Sequence, residues 1–320
     1  MNFVTRVPEA GNYTFLSEFK CGIYNRCWKA INKVTNDIVI VRTIPKNDLL
    51  KHESKSKMAN EITLLKNSCH PLISKFIELI DLPKEFHIIM TEPKGISLRE
   101  YIDKNGVIEE KLGQELVKKL FTIAQYLKST LGLEYSAFNP DSIFVDEKGH
   151  LVNYFIQFYE PMNNSLLIQS NAAFNPPEIL TSKGIFSSSD SWSISCILNY
   201  CLTGKIPFNK ENAEETIQSI LNDQFNIDDE ISDNAKNFIY CGLIKNPLMR
   251  TQFKTIMSTK FMEGIPLEMM ATKKSAATQS YSPKTLPSTI GKKQLIRISY
   301  KSFIPEVKKS YRTRSGTTFW

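Results

Sequence analysis

Glycine is scarce in this chain, 13 residues in 320, or about 4% where soluble domains average about 7%. The shortage weighs against loops that cradle phosphate with bare backbone, because such loops are built from glycine. The six cysteines, at positions 21, 27, 69, 196, 201 and 241, fall at no metal-ligand spacing. They argue against a zinc or iron–sulfur framework and read as reduced, mostly buried thiols. His52, His70, His87 and His150 show no ligand spacing either, so no metal site is expected; His70 reads as a structural helix–strand contact. No stretch approaches the roughly 20 uninterrupted apolar residues of a membrane-spanning helix. The opening MNFVTRVPEAGNY has no apolar run for a signal peptide, so the expected address is cytoplasmic, with the nucleus as the alternative. Hydrophobic residues at 42% and charged residues at 23% exclude disorder throughout.

The formal charge of +7 is uneven. Residues 271–320 hold 11 Lys or Arg against Glu306 alone, a balance of +10, which leaves 7 − 10 = −3 for residues 1–270. The stretch 263–320 is rich in Ser, Thr, Lys and Pro without a sustained apolar period, and reads as a basic, mostly disordered tail. Such a tail could bind nucleic acid or an anionic membrane surface. Aromatic residues interleave its late charges (Tyr300, Phe303, Tyr311, Phe319, Trp320), which favours a docking peptide for a protein partner or for the body itself. A solvated extension without function is the plainer alternative. Ser282-Pro283 could be a phosphorylation site, although such dipeptides arise readily by chance.

After an N-terminal extension (1–12), the body has two textures. Residues 13–92 read as short strands with one helix. TFLSEF, RCWKAIN and DIVIVRTI are β-branched and aromatic, with turn residues Val34-Thr35-Asn36-Asp37 before the third. HESKSKMANEITLLKNS places Met58, Ile62 and Leu65 on one helical face, and ISKFIELIDL and EFHIIMTE return to strand character. Residues 93–262 turn helical. Leu112, Leu116, Leu120, Ile123, Leu127 and Leu131 form a stripe at steps of 3 and 4, the buried face of a long helix. SDSWSISCILNYCLTG is apolar on nearly all sides, as a helix at the centre of a domain would be.

Eight segments in register resemble a eukaryotic protein kinase domain over about residues 13–262. IVIVRTIPK (38–46) stands where that family has V-A-I-K. Asn60-Glu61-Ile62 with Leu64-Leu65 resembles the helix that carries an ion-pairing glutamate, and His70-Pro71-Leu72-Ile73 resembles H-P-x-I. NPDSIFVDEKGHL (139–151) is similar to the catalytic loop and its two following strands. Pro177-Glu178 resembles the end of A-P-E, SDSWSISCIL (189–198) resembles D-x-W-S-x-G-x-x-L, and LTGKIPF (202–208) leans toward the calcium/calmodulin- and AMP-activated-kinase group. Arg250, in NPLMRT, stands where the family keeps an arginine paired with the A-P-E glutamate. The resemblance implies an α+β, bilobal fold: a small β-rich lobe with one helix, a larger helical lobe, and the basic tail.

The same register implies losses. Family members position a γ-phosphate with a lysine, two metal-holding groups and a base. Here the lysine is Arg42, whose planar fork is no compact point charge. H-R-D reads Tyr135-Ser136-Ala137, so the base is alanine. The following lysine is Asn139, the metal-binding asparagine is Ser142, and D-F-G reads Phe155-Ile156-Gln157. The glycine-rich loop Lys20-Cys21-Gly22-Ile23-Tyr24-Asn25 keeps one glycine of three, and Glu61 alone survives at a catalytic position. Asp141, Asp146 and Glu160 are the acids a displaced mechanism would have to use. Gly22, Cys27, Ile40, Arg42, Glu61, Met90 and Phe144 would line a vestigial ATP cleft. Ile40 and Phe144 exceed the family's alanine and leucine, and overfilling a fitted pocket costs about 1–3 kcal/mol.

The expectation is therefore a cleft filled by its own side chains, with no cofactor or at most weak, metal-independent ATP binding. An ordinary open cleft is the alternative. Structural positions persist: a stack of Phe76, Leu65, Ile156 and Tyr135 resting on Asp190, a Glu178–Arg250 pair, and a Glu61–Arg42 pair for which a solvated glutamate is the alternative. The leading reading is a pseudokinase, a non-catalytic scaffold or allosteric module that presents region 155–178 or the Glu61 helix to a protein partner such as an active kinase. The alternatives are an unconventional Ser/Thr kinase and a tail-driven nucleic-acid or membrane binder.

Overall fold

The computed structural model describes residues 9–20, 26–49, 52–156, 172–227 and 230–264. Gly22, Gln157, Glu160, most of region 155–178 and nearly all of the basic tail, with Ser282-Pro283, lie outside them.

Six antiparallel strands build the small lobe: β1 (Glu9–Ala10), β2 (Tyr13–Glu18), β3 (Cys27–Asn32), β4 (Ile38–Pro45), β5 (Phe76–Asp81) and β6 (Glu85–Thr91), in the order β1-β2-β3-β4-β6-β5. The run Ile38-Val39-Ile40-Val41 alternates sides as strand geometry requires. Val39 and Val41 enter one apolar cluster with Tyr13, Phe15, Ala30 and Ile89. Ile40 enters the main core with Cys27, Ile88 and Met90. Both faces of β4 are thus buried, which explains an unbroken apolar run where a half-exposed strand would alternate. The turn before β4 closes as its residues suggest. Asn32 Oδ1 accepts the N–H of Val34 at 2.9 Å, and Asn36 takes a left-handed φ of 60°, a conformation asparagine tolerates.

Strand β1 falls within the extension read over residues 1–12. Glu9 and Ala10 pair with Thr14 and Tyr13 around a two-residue turn, whose first residue, Gly11, has φ +58°. Glycine is the residue that supplies this conformation in a tight hairpin. Two residues are too few to show a period, so sequence texture does not reveal the strand.

Helix α1 (His52–Asn67) packs Met58, Ile62 and Leu65 onto the sheet. In the large lobe, α2 (Leu98–Asn105) precedes α3 (Glu110–Leu131), which buries Leu116, Leu120, Ile123 and Leu127 and half-buries Leu112 and Leu131. A small sheet of β7 (Ile96–Ser97), β8 (Ile143–Val145) and β9 (Leu151–Tyr154) sits at the cleft floor. Helix α4 (Pro177–Leu180) leads to α5 (Ser189–Thr203), every residue of which from 189 to 202 is buried. Then follow α6 (Ala213–Asn222), α7 (Asp233–Gly242) and α8 (Phe253–Ile256). Gly242 lets α7 close on α5: a Cβ there would stand 1.9 Å from Ser195 Oγ. Among the described residues, no helix is long and apolar enough to cross a membrane.

Candidate functional site: an aromatic-filled interlobe cleft

Strand β4 carries Arg42 between Cys27 of β3 and Ile88 of β6. Its guanidinium reaches Glu61 on α1 with both fork nitrogens: Nη1 contacts Oε1, and Nη2 donates to Oε2 at 3.5 Å. Both side chains are largely buried. The pair holds α1 against the sheet, as the register implied, with a fork in place of an ammonium.

The walls of the cleft come from both lobes. Cys27, Ile40 and Met90 above, and Phe144 and Phe155 below, are all buried in the main core. Phe19 joins them, at the end of the roof strand and immediately before the loop that begins at Lys20. Its ring stacks on Phe144 with centroids 5.9 Å apart and planes 10° off parallel. It also tilts against Phe155 at 6.3 Å. A flat base between roof and floor needs van der Waals contact on each face, about 3.5–4.0 Å each, hence about 7–8 Å between walls. Roof and floor here touch directly. Sequence reasoning missed Phe19 because attention fell on the glycine positions after it; the available signal was a large aromatic at the mouth of a loop short of glycine.

The loop from 135 to 142 is closed on itself. Asn139 Oδ1 accepts the N–H groups of Asp141 and Ser142, both at 3.1 Å. Asn139 Nδ2 donates to Ala137 O at 3.2 Å, and Ser142 Oγ donates to Asn139 O at 3.0 Å. Asn139 and Ser142 are buried, so the groups at the lysine and metal-asparagine positions serve the loop. Ala137, at the base position, has φ +50°, a left-handed conformation that costs a residue with Cβ roughly 1–2 kcal/mol. The loop thus bends sharply at a residue that carries no carboxylate. Asp141 offers both carboxylate oxygens to Arg99, Nε to Oδ1 at 2.8 Å and Nη2 to Oδ2 at 3.0 Å.

Asp190, at the start of α5, accepts from Ser136 N at 2.9 Å and Ser136 Oγ at 3.0 Å. Its burial outweighs these bonds and pushes its pKa up to about 6. The expected stack needs correction at one member. Leu65, Ile156 and the half-buried Phe76 belong to the main core, but Tyr135 stands in a separate cluster with Ala137 and Ile179. Its hydroxyl explains why: it donates to Asn175 Oδ1 and meets Ser193 Oγ, each at 3.0 Å. A buried phenol goes where its polar end finds partners.

Glu178 and Arg250 meet as a buried bidentate pair, at 2.6 and 2.9 Å. Ser189 Oγ adds a third bond to Glu178 at 2.8 Å, and Arg250 stacks over Trp192 at 5.1 Å. His70 is structural: its Nδ1 accepts the Leu72 N–H at 3.2 Å, its ring packs on Tyr126 at 5.0 Å, and burial lowers its pKa. Among the described residues no group of three or more His, Cys, Asp or Glu could hold a metal ion.

The protein kinase domain family model matches residues 13–262. Curated relatives include the mouse sperm motility kinase 3A, 26% identical over 71% of this chain and 45% of its own length. The Drosophila serine/threonine-protein kinase polo is 22% identical over 92% of this chain and 52% of its own. Myosin light chain kinase A of Dictyostelium is 28% identical over 71% of this chain and 80% of its own. The chain thus spans about half the length of the first of these relatives. With a strand-built lobe above a helical one, an arginine–glutamate pair where the motif register puts it, and a family match across most of its length, this chain belongs to the protein kinase domain family.

Proposed function

We propose that this kinase-family domain works without catalysis, as a pseudokinase that scaffolds or allosterically regulates protein partners in phosphorylation signalling. The observation that carries the reading is the stack of Phe19 on Phe144, which takes the space of a base. Phe155 stands where the family holds metal, and Ala137 stands where it holds a base. The nucleotide and its metal do not fit these residues. An unconventional Ser/Thr kinase would need a displaced acid. The nearest, Asp141, is engaged by the Arg99 fork, which argues against that alternative. The partner reading extends to an active kinase, received on α1 or on region 155–178. The 271–320 tail, at +10, is a second contact region for a protein, nucleic acid or anionic lipid.

The test is thermal unfolding of the full chain with millimolar ATP, with and without Mg²⁺, beside a radiolabelled-phosphate assay on generic protein substrates with Mg²⁺ or Mn²⁺. A ligand at 100 times its Kd would stabilise by about 2.7 kcal/mol. The expected result is no shift and no transfer. Transfer that Asp141→Ala abolishes would reject the proposal, and a shift requiring Mg²⁺ would mean that a metal ligand exists after all.

A further inference from the structure

At the back of the cleft the two lobes are joined through main chain. Tyr154 N–H donates to Leu72 O at 2.6 Å and Ser74 N–H to Tyr154 O at 3.2 Å. Ser74 Oγ donates to Asn153 Oδ1 at 2.8 Å in a buried contact, and Ile73 bridges Tyr154 in parallel fashion. Cys69 N–H adds a bond to the Tyr126 hydroxyl at 2.7 Å. All these links lie within residues 69–74 on one side and on α3 and β9 on the other. They make a pivot.

The front of the cleft is joined differently. Phe19 of the small lobe rests on Phe144 and Phe155 of the large one. Lys29 holds its Nζ 5.8 Å from the Phe19 ring centre while pairing with Glu92 at 2.8 Å, at the strand end that leads into the large lobe. In an open cleft the front edges are held by whatever lies between them; here the walls hold each other.

We infer that Phe19 is an intramolecular ligand, a clamp that takes the place of a bound base and fixes the lobes in one closed arrangement. The inference rests on the reading that nucleotide does not enter this cleft. Its consequence is regulatory. The placement of α1, and the surface it offers a partner, is independent of nucleotide. The domain is a constant platform, in contrast to a nucleotide-gated switch. Ordinary core packing of a ring would predict stability loss on truncation with no change in lobe spacing, and that difference makes the clamp testable.

The experiment measures an interlobe distance by pulsed dipolar spectroscopy on the full chain. Cys21, Cys69 and Cys241 are replaced by serine, and spin labels are placed at exposed Val34 of the small lobe and exposed Met249 of the large one. The parent is expected to give one narrow distance that millimolar ATP and Mg²⁺ leave in place. Phe19→Ala is expected to broaden the distribution at least twofold, and Phe19→Leu, which keeps apolar bulk without the ring, to give an intermediate width. Should the alanine variant fail to fold, the leucine variant decides. A variant that melts cooperatively with the parent's width overturns the clamp and leaves the non-catalytic reading intact. A parent distance that moves with ATP shows nucleotide entering the cleft and overturns the filled-cleft premise instead.

Discussion

The base of the large lobe and the cleft above it belong to the same motif register, yet their residues have fared differently. At the base, Glu178, Arg250 and Asp190 stand where the family resemblance places them and form buried polar contacts. In the cleft, the base, lysine and metal positions hold Ala137, Asn139, Ser142 and Phe155. The difference separates two kinds of constraint. A buried charge needs its partner for the fold to survive, because an unpaired one costs several kcal/mol. A carboxylate facing an open cleft carries no such debt, so a substitution there leaves the fold standing.

The contrast is broken most decisively at Arg250. Arg250→Met leaves the Glu178 carboxylate buried without its fork, and a loss of about 3–5 kcal/mol in denaturant unfolding is expected. A loss below about 1 kcal/mol would mean that the base is not braced by this pair.

Asp190 sharpens the comparison by pH. Its carboxyl titrates near 6 in the fold against an ordinary 3.8. The folded state therefore holds the proton more tightly, and this group's favourable contribution is complete below pH 3.8. It is lost as pH rises through 6, by at most about 3 kcal/mol. Asp190→Asn keeps an acceptor for the Ser136 N–H without the charge. The variant is expected to gain on the parent between pH 4 and pH 7, read as a growing difference in unfolding free energy. A difference flat in pH would place the cost of Asp190 elsewhere than in its buried charge.

The smallest effect belongs to Ala137. Ala137 keeps the left-handed bend at φ +50°, so Ala137→Gly is expected to stabilise by about 1 kcal/mol. A destabilisation would show that the Ala137 methyl, packed with Tyr135 and Ile179, contributes more than the bend costs.

Much of the fold is legible in the chain itself. The stripe on α3 and the all-round apolar α5 follow from helical period, and the double burial of β4 from an unbroken apolar run. Of the site, the replaced positions are legible because motif register is a matter of counting along a covalent chain. Strand β1 is not legible, since a two-residue strand has no period. The place of Tyr135 is not legible either. Whether a tyrosine at that position joins an apolar stack or leaves it depends on hydroxyl partners, Asn175 and Ser193, that sequence separation hides.

What the sequence determines by itself, then, is the family register and the identity of the residue at each of its positions. Local period and covalent spacing are enough for both. Tertiary structure decides what surrounds the substituted positions: Phe19 meeting Phe144 and Phe155 across the cleft, Arg99 closing on Asp141, and burial lifting the Asp190 pKa. Each of these depends on distances between groups far apart in the chain, or on how much water the fold excludes, and neither is set until the chain has folded.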